Sequence, residues 1–83
     1  MIRYAIEMES GGYMKGDFYK SIEQVKIETV DLPIDADLLK KRSYAEECLQ
    51  DILAGTTTLP VHYDENDPPK RVVKLDIKFE EVE

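Results

Sequence analysis

The chain has 83 residues, 18 acidic and 11 basic side chains, a net charge of -7 and one cysteine. A domain of this size buries only about 60% of the surface its unfolded chain exposes, so one pair of packed layers is expected and no deep cavity. The acidic balance argues against general nucleic-acid binding, because phosphates repel such a surface. A single cysteine rules out a disulfide framework within the chain and fits a reducing compartment.

The opening run IRYAIEME alternates, with Ile2, Tyr4, Ile6 and Met8 on one side and Arg3, Glu7 and Glu9 on the other. This predicts a half-buried strand. Gly11 and Gly12 then supply a turn, and YMKGDFY restarts an extended pattern, giving a β-hairpin. Gly16 inside that second run marks a bulge or a close backbone approach. QVKIETV predicts a third strand with Val25, Ile27 and Thr29 on one face, and SIEQV before it could open a helical turn capped by Ser21. Pro33 stops the strand. IDADLLKKR reads equally as loop, short strand or helical turn.

A helix follows. Ser43 and Glu46 form a capping-box pattern, and Tyr44, Ala45, Cys48, Leu49 and Ile52 recur as one apolar stripe. Glu46, Glu47, Gln50 and Asp51 face water in this reading, and Gly55 ends the helix. Residues 56–70, with three prolines and an acidic centre, read as a long loop. In the closing run RVVKLDIKFEEVE, Val73, Leu75, Ile77 and Phe79 alternate with Lys74, Asp76, Lys78 and Glu80. The expected fold is α+β, ordered β-β-β-α-β: an antiparallel sheet of three to four strands with one helix on one face, in a single domain spanning 1–83.

Gly11 and Gly16 have the glycine spacing of a phosphate-binding loop, but Asp17 and Phe18 stand where that motif needs Lys and Ser or Thr. His62 is the only histidine, in a proline-rich stretch where Tyr63 and Asp64 are its nearest candidate partners. One His and one Cys cannot fill a zinc site without two carboxylates. The oxygen cluster Asp64, Glu65, Asn66 and Asp67 breaks the calcium-loop pattern at Pro68. Lys40, Lys41 and Arg42, the one basic run, precede a helix N-terminus, where the dipole disfavours cations. No metal, no cofactor and no catalytic residue are expected.

The order of elements resembles the HicB-like antitoxin domain of bacterial toxin–antitoxin pairs. The residues that carry the resemblance are the alternating first strand with its Gly12-Tyr13 turn, Asp31-Leu32-Pro33 after the sheet strands, and the helix SYAEECLQDIL. Gly55 with Leu59-Pro60 and the final VVKLDIKF complete it. The spacing from Gly12 to Asp31 is longer than in the family, and Val30 and Ile34 flank the Asp-Leu-Pro where the family has Pro and Gly. The family's C-terminal DNA-binding segment has no counterpart in these residues. The resemblance implies a non-catalytic antitoxin-type protein that covers a small basic ribonuclease toxin. The expected partner-binding residues are the helix carboxylates Glu46, Glu47 and Asp51 together with Asp64 and Glu65. A second reading is a phage-encoded acidic inhibitor of a nucleic-acid-binding enzyme, of anti-CRISPR or anti-restriction type. A third is a module that forms a homodimer through a sheet edge. No apolar run reaches signal-peptide or membrane-span length, so a cytoplasmic protein that meets no membrane is expected.

Overall fold

The computed structural model describes residues 1–16 and 23–78. The expected features at Asp17, Phe18, Ser21, Phe79 and Glu80 lie outside them. The elements are β1 (Ile2–Met8), β2 (Tyr13–Gly16), β3 (Val25–Val30), a 3-10 turn (Pro33–Asp35), α1 (Arg42–Ala54), β4 (Val61–His62) and β5 (Pro69–Asp76). The strands form one five-stranded sheet in the order β4-β3-β2-β1-β5, with α1 on one face.

The fold is α+β as the sequence predicts, but the sheet is mixed rather than antiparallel. Antiparallel neighbours can be joined by tight turns, whereas parallel ones need a crossover. Here α1 is the crossover: it carries the chain from β3 back to β4, which pairs parallel to β3 at Val25↔Val61 and Lys26↔His62. The stretch 56–70 is therefore not all loop.

The β1–β2 turn forms where the glycines place it. Gly11 has φ 96°, and Gly11 N donates to Met8 O at 2.9 Å. A Cβ on Gly12 would run into the Thr29 side chain and sit 2.9 Å from Val30 O, so only glycine fits against β3. At the helix end, Gly55 (φ 70°) and Thr56 donate to Ile52 O and Asp51 O, a Schellman closure. The expected capping box does not form. The helix starts at Arg42 with Lys41 as its N-cap, and no side chain caps it. Ser43 therefore falls inside the first turn, and Glu46 pairs with Arg42 at 3.6 Å.

The core lies between α1 and the sheet. Ile6, Met8, Met14, Ile27 and Val72 from the strands meet Ala45, Leu49 and Ile52 from the helix. Each large apolar side chain buried here contributes about 1.5–3 kcal/mol. The opposite face carries Arg3, Glu7, Tyr13, Lys15, Glu28 and Arg71, by the pairing of β1, β2, β3 and β5. Glu7 and Arg71, directly opposed, form a 2.9 Å ion pair.

The closing strand alternates as expected, but the face of Val73 and Leu75 is turned away from the core under α1. Val72, not Val73, enters the core, at 8% exposure. Val73, Leu75 and Ile77 lie on the other face and are half-buried. The ladder from Ile2↔Asp76 to Glu7↔Arg71 decides this, and a bulge beyond it brings Met8 opposite Pro69. A one-residue change of register exchanges the two faces of a strand.

Candidate functional site

After Gly55 the chain doubles back along the C-terminal half of α1. Thr57 Oγ1 donates to Leu59 O at 2.6 Å, and Val25 N donates to Pro60 O at 2.8 Å, which fixes the returning segment beside β3. A groove of about 400 Å³ opens between this segment and the helix. Val25, Leu59 and Val61 supply apolar lining, and Thr56, Thr57 and Thr58 form one wall.

The other wall is a helix stripe. Tyr44, Glu47, Cys48 and Asp51 follow one another at i, i+3, i+4 and i+7, so they share a face. This stripe lies beside the core stripe of Ala45, Leu49 and Ile52. Tyr44, expected in the core, is 56% exposed as a result, with Lys41 Nζ 5.1 Å from its ring centroid. Cys48 is half-buried, and burial, then Asp37 and Asp51, push its thiol pKa up. The thiol therefore stays protonated, in keeping with a packing role.

The five predicted partner-binding residues do not converge on one place. Glu47 and Asp51 both line the groove. Asp51 accepts a hydrogen bond from Thr56 Oγ1 at 2.9 Å, and neither residue forms an ion pair among those of the described residues. Glu46 turns to Arg42. Asp64 and Glu65 are exposed on the β4–β5 connection, where Asp64 accepts from Asn66 N at 2.9 Å in a local turn. His62 is exposed on β4, while the neighbouring Tyr63 packs against the core. No group of three or more His, Cys, Asp or Glu side chains among the described residues is placed to hold a metal.

Two other carboxylates, Asp37 and Asp67, organise the framework. Asp67 accepts from Ser10 N (2.7 Å), Ser10 Oγ (2.8 Å) and Thr29 Oγ1 (2.5 Å), tying the β4–β5 connection to the β1–β2 turn and β3. The Thr29 bond leads the effects that lower its pKa. Asp37 accepts from Gly16 N at 2.7 Å. Burial raises the Asp37 pKa against the opposing pull of that bond and of Lys15.

No family model, curated protein or solved structure matches this chain. No helix among the described residues is long and apolar enough to cross a membrane.

Proposed function

We propose that this chain is a non-catalytic, cytoplasmic protein-binding regulator whose α1 groove receives a basic segment of its partner. One observation carries the reading: an open groove with apolar lining is bordered by Glu47 and Asp51, two carboxylates without ion-pair partners among the described residues. An apolar floor with an acidic border suits a lysine or arginine side chain, which lays its aliphatic stem on the floor and its charge against the carboxylates. The chain's net charge of -7 draws a basic protein toward it. The resemblance to HicB-like antitoxins makes a small basic ribonuclease toxin the specific candidate.

Titration calorimetry against small basic ribonucleases of toxin–antitoxin pairs, with ribonuclease activity followed in parallel, tests this. Wild type should bind and inhibit. Glu47→Lys with Asp51→Lys should weaken binding by about tenfold or more, since both reverse a charge at the contact. Asp64→Lys with Glu65→Lys should change mainly the salt dependence. Absence of any complex removes the toxin reading. Loss of binding through the loop pair alone would move the contact away from the groove.

A further inference from the structure

We infer that this protein forms a two-fold symmetric homodimer by antiparallel pairing of its β5 edges, with Leu75 on the axis. Strand β5 lies at one end of the sheet, and β1 is its only strand neighbour among the described residues. The direction of its free groups follows from Tyr4. Tyr4 N and O both bond to Leu39, on the side away from β5. Tyr4↔Lys74 is then a non-hydrogen-bonded pair of the β1–β5 ladder. The N–H and C=O of Lys74 consequently point outward, and alternation gives the same orientation to Val72 and Asp76. None of these outward groups is bonded by a described residue. An edge of this kind is a template for another strand.

The side chains on this edge complement a second copy in one register. With the two-fold axis at Leu75, Lys74 meets Asp76 of the second copy and Asp76 meets its Lys74. These are outward-pointing residues on both strands, so their backbones can exchange hydrogen bonds. Lys74 has no ion pair among the described residues, and Asp76 shares one carboxylate oxygen with the Met1 amino group at 3.1 Å. On the other face, Val73 meets Ile77, Leu75 meets Leu75, and Ile77 meets Val73. The half-buried apolar ridge that the β5 register leaves outside the core is thereby continued into a second copy. Neighbouring registers are worse. An axis at Lys74 opposes two lysines, an axis at Asp76 opposes two aspartates, and an axis at Val73 runs into the bulge at Lys70. The groove beside α1 lies toward the β3–β4 end of the sheet, so this inference does not rest on the partner reading, and a dimer leaves both grooves open.

Sedimentation velocity on the full chain over a concentration series tests the dimer. Wild type should associate reversibly. Lys74→Asp, which sets like charges opposite each other twice, should weaken the dimer about tenfold or more. Adding Asp76→Lys to it restores both pairs and should restore association. Mixing the Lys74→Asp and Asp76→Lys single variants should give a heterodimer, since each supplies the charge the other lacks. In a Cys48→Ser background, Leu75→Cys should cross-link to itself under mild oxidation, because a non-hydrogen-bonded antiparallel pair holds its Cα atoms about 4.5 Å apart. Thermal melting establishes that each variant folds, and if Leu75→Cys does not, the charge variants decide. A wild type that stays monomeric overturns the inference. So does a dimer indifferent to Lys74→Asp, or one whose association the charge-swapped variant fails to recover.

Discussion

Strand β1 is closed differently on its two sides. Toward β5 it is zipped from Ile2↔Asp76 to Met8↔Pro69. Toward β2 the register contains one pair, Glu7↔Tyr13, after which the two strands part. Residues 37–39 fill the gap. Leu39 exchanges two 2.8 Å hydrogen bonds with Tyr4, Asp37 N donates to Met14 O at 3.1 Å, and the Asp37 carboxylate takes the Gly16 N–H. Both sides bond backbone groups of β1, as buried peptide groups require. One does so with a ladder of seven residue pairs, Ile2↔Asp76 to Met8↔Pro69, broken by one bulge. The other uses an isolated bridge from Leu39 to Tyr4, while the Asp37 carboxylate, a side chain that titrates, holds the end of β2 at Gly16.

Ile6→Ala should have the largest effect and should erase the distinction. Ile6 is 1% exposed on β1 and packs under α1 with Val72 and Leu49 in the common core. Its truncation is expected to cost about 2–5 kcal/mol. Urea unfolding should shift to a lower midpoint while remaining one transition, because both flanks share that core.

Asp37→Ala separates the flanks. It leaves the Gly16 N–H without its acceptor in a half-buried site, which costs about 1–3 kcal/mol. Asp37→Asn keeps an acceptor oxygen and should lose much less. Amide hydrogen exchange localises the damage: in the alanine variant, protection should fall at Tyr4, Leu39 and Gly16 more than at Val73 and Leu75 on the β5 side. Equal losses on both sides would mean that the wedge is not a separate unit of stability.

These two regions also mark how far the sequence could be read. The strand face of Ile6 and Met8, the turn at Gly11 and Gly12, and the helix with its Gly55 end rest on local patterns of period 2, positive φ and period 3.6, all of which the structure contains. The wedge leaves no such trace, because its defining bond joins Gly16 and Asp37 across 21 positions. The two residues of β4 are too few to show alternation. In β5 the pair Val72-Val73 gives both faces an apolar claim, and only pairing with β1 chooses between them. The groove was half legible. That Glu47 and Asp51 share a helix face follows from their spacing, but their position beside Val25 and Val61 depends on the β3–β4 parallel pairing. The acidic loop offers the same lesson: Asp64 to Asp67 look alike in sequence, yet only Asp67 receives Ser10 and Thr29.

The smallest effects are pH-dependent, and they contrast Asp37 with Asp67 by sign. The Asp37 pKa is raised above its ordinary value of 3.8, chiefly by burial. Its favourable contribution is thus complete below 3.8 and is lost as pH rises through the folded-state pKa, since the native protein binds this proton more tightly than the unfolded chain. Asp67 is shifted downward, first by the Thr29 hydrogen bond. Its contribution is present above 3.8 and is lost as pH falls through the folded-state value. The windows therefore lie on opposite sides of 3.8. Urea unfolding of wild type, Asp37→Asn and Asp67→Asn from about pH 2 to 7 isolates each group from the other carboxylates by difference. Relative to wild type, Asp37→Asn should become more favourable as pH rises above 3.8 and then level off. The deficit of Asp67→Asn should be constant at neutral pH and shrink below 3.8. A deficit for Asp67→Asn that grows on acidification would mean that its hydrogen bonds to Ser10 and Thr29 do not favour the carboxylate, and that this tie, like the wedge at Asp37, is held best by a neutral side chain.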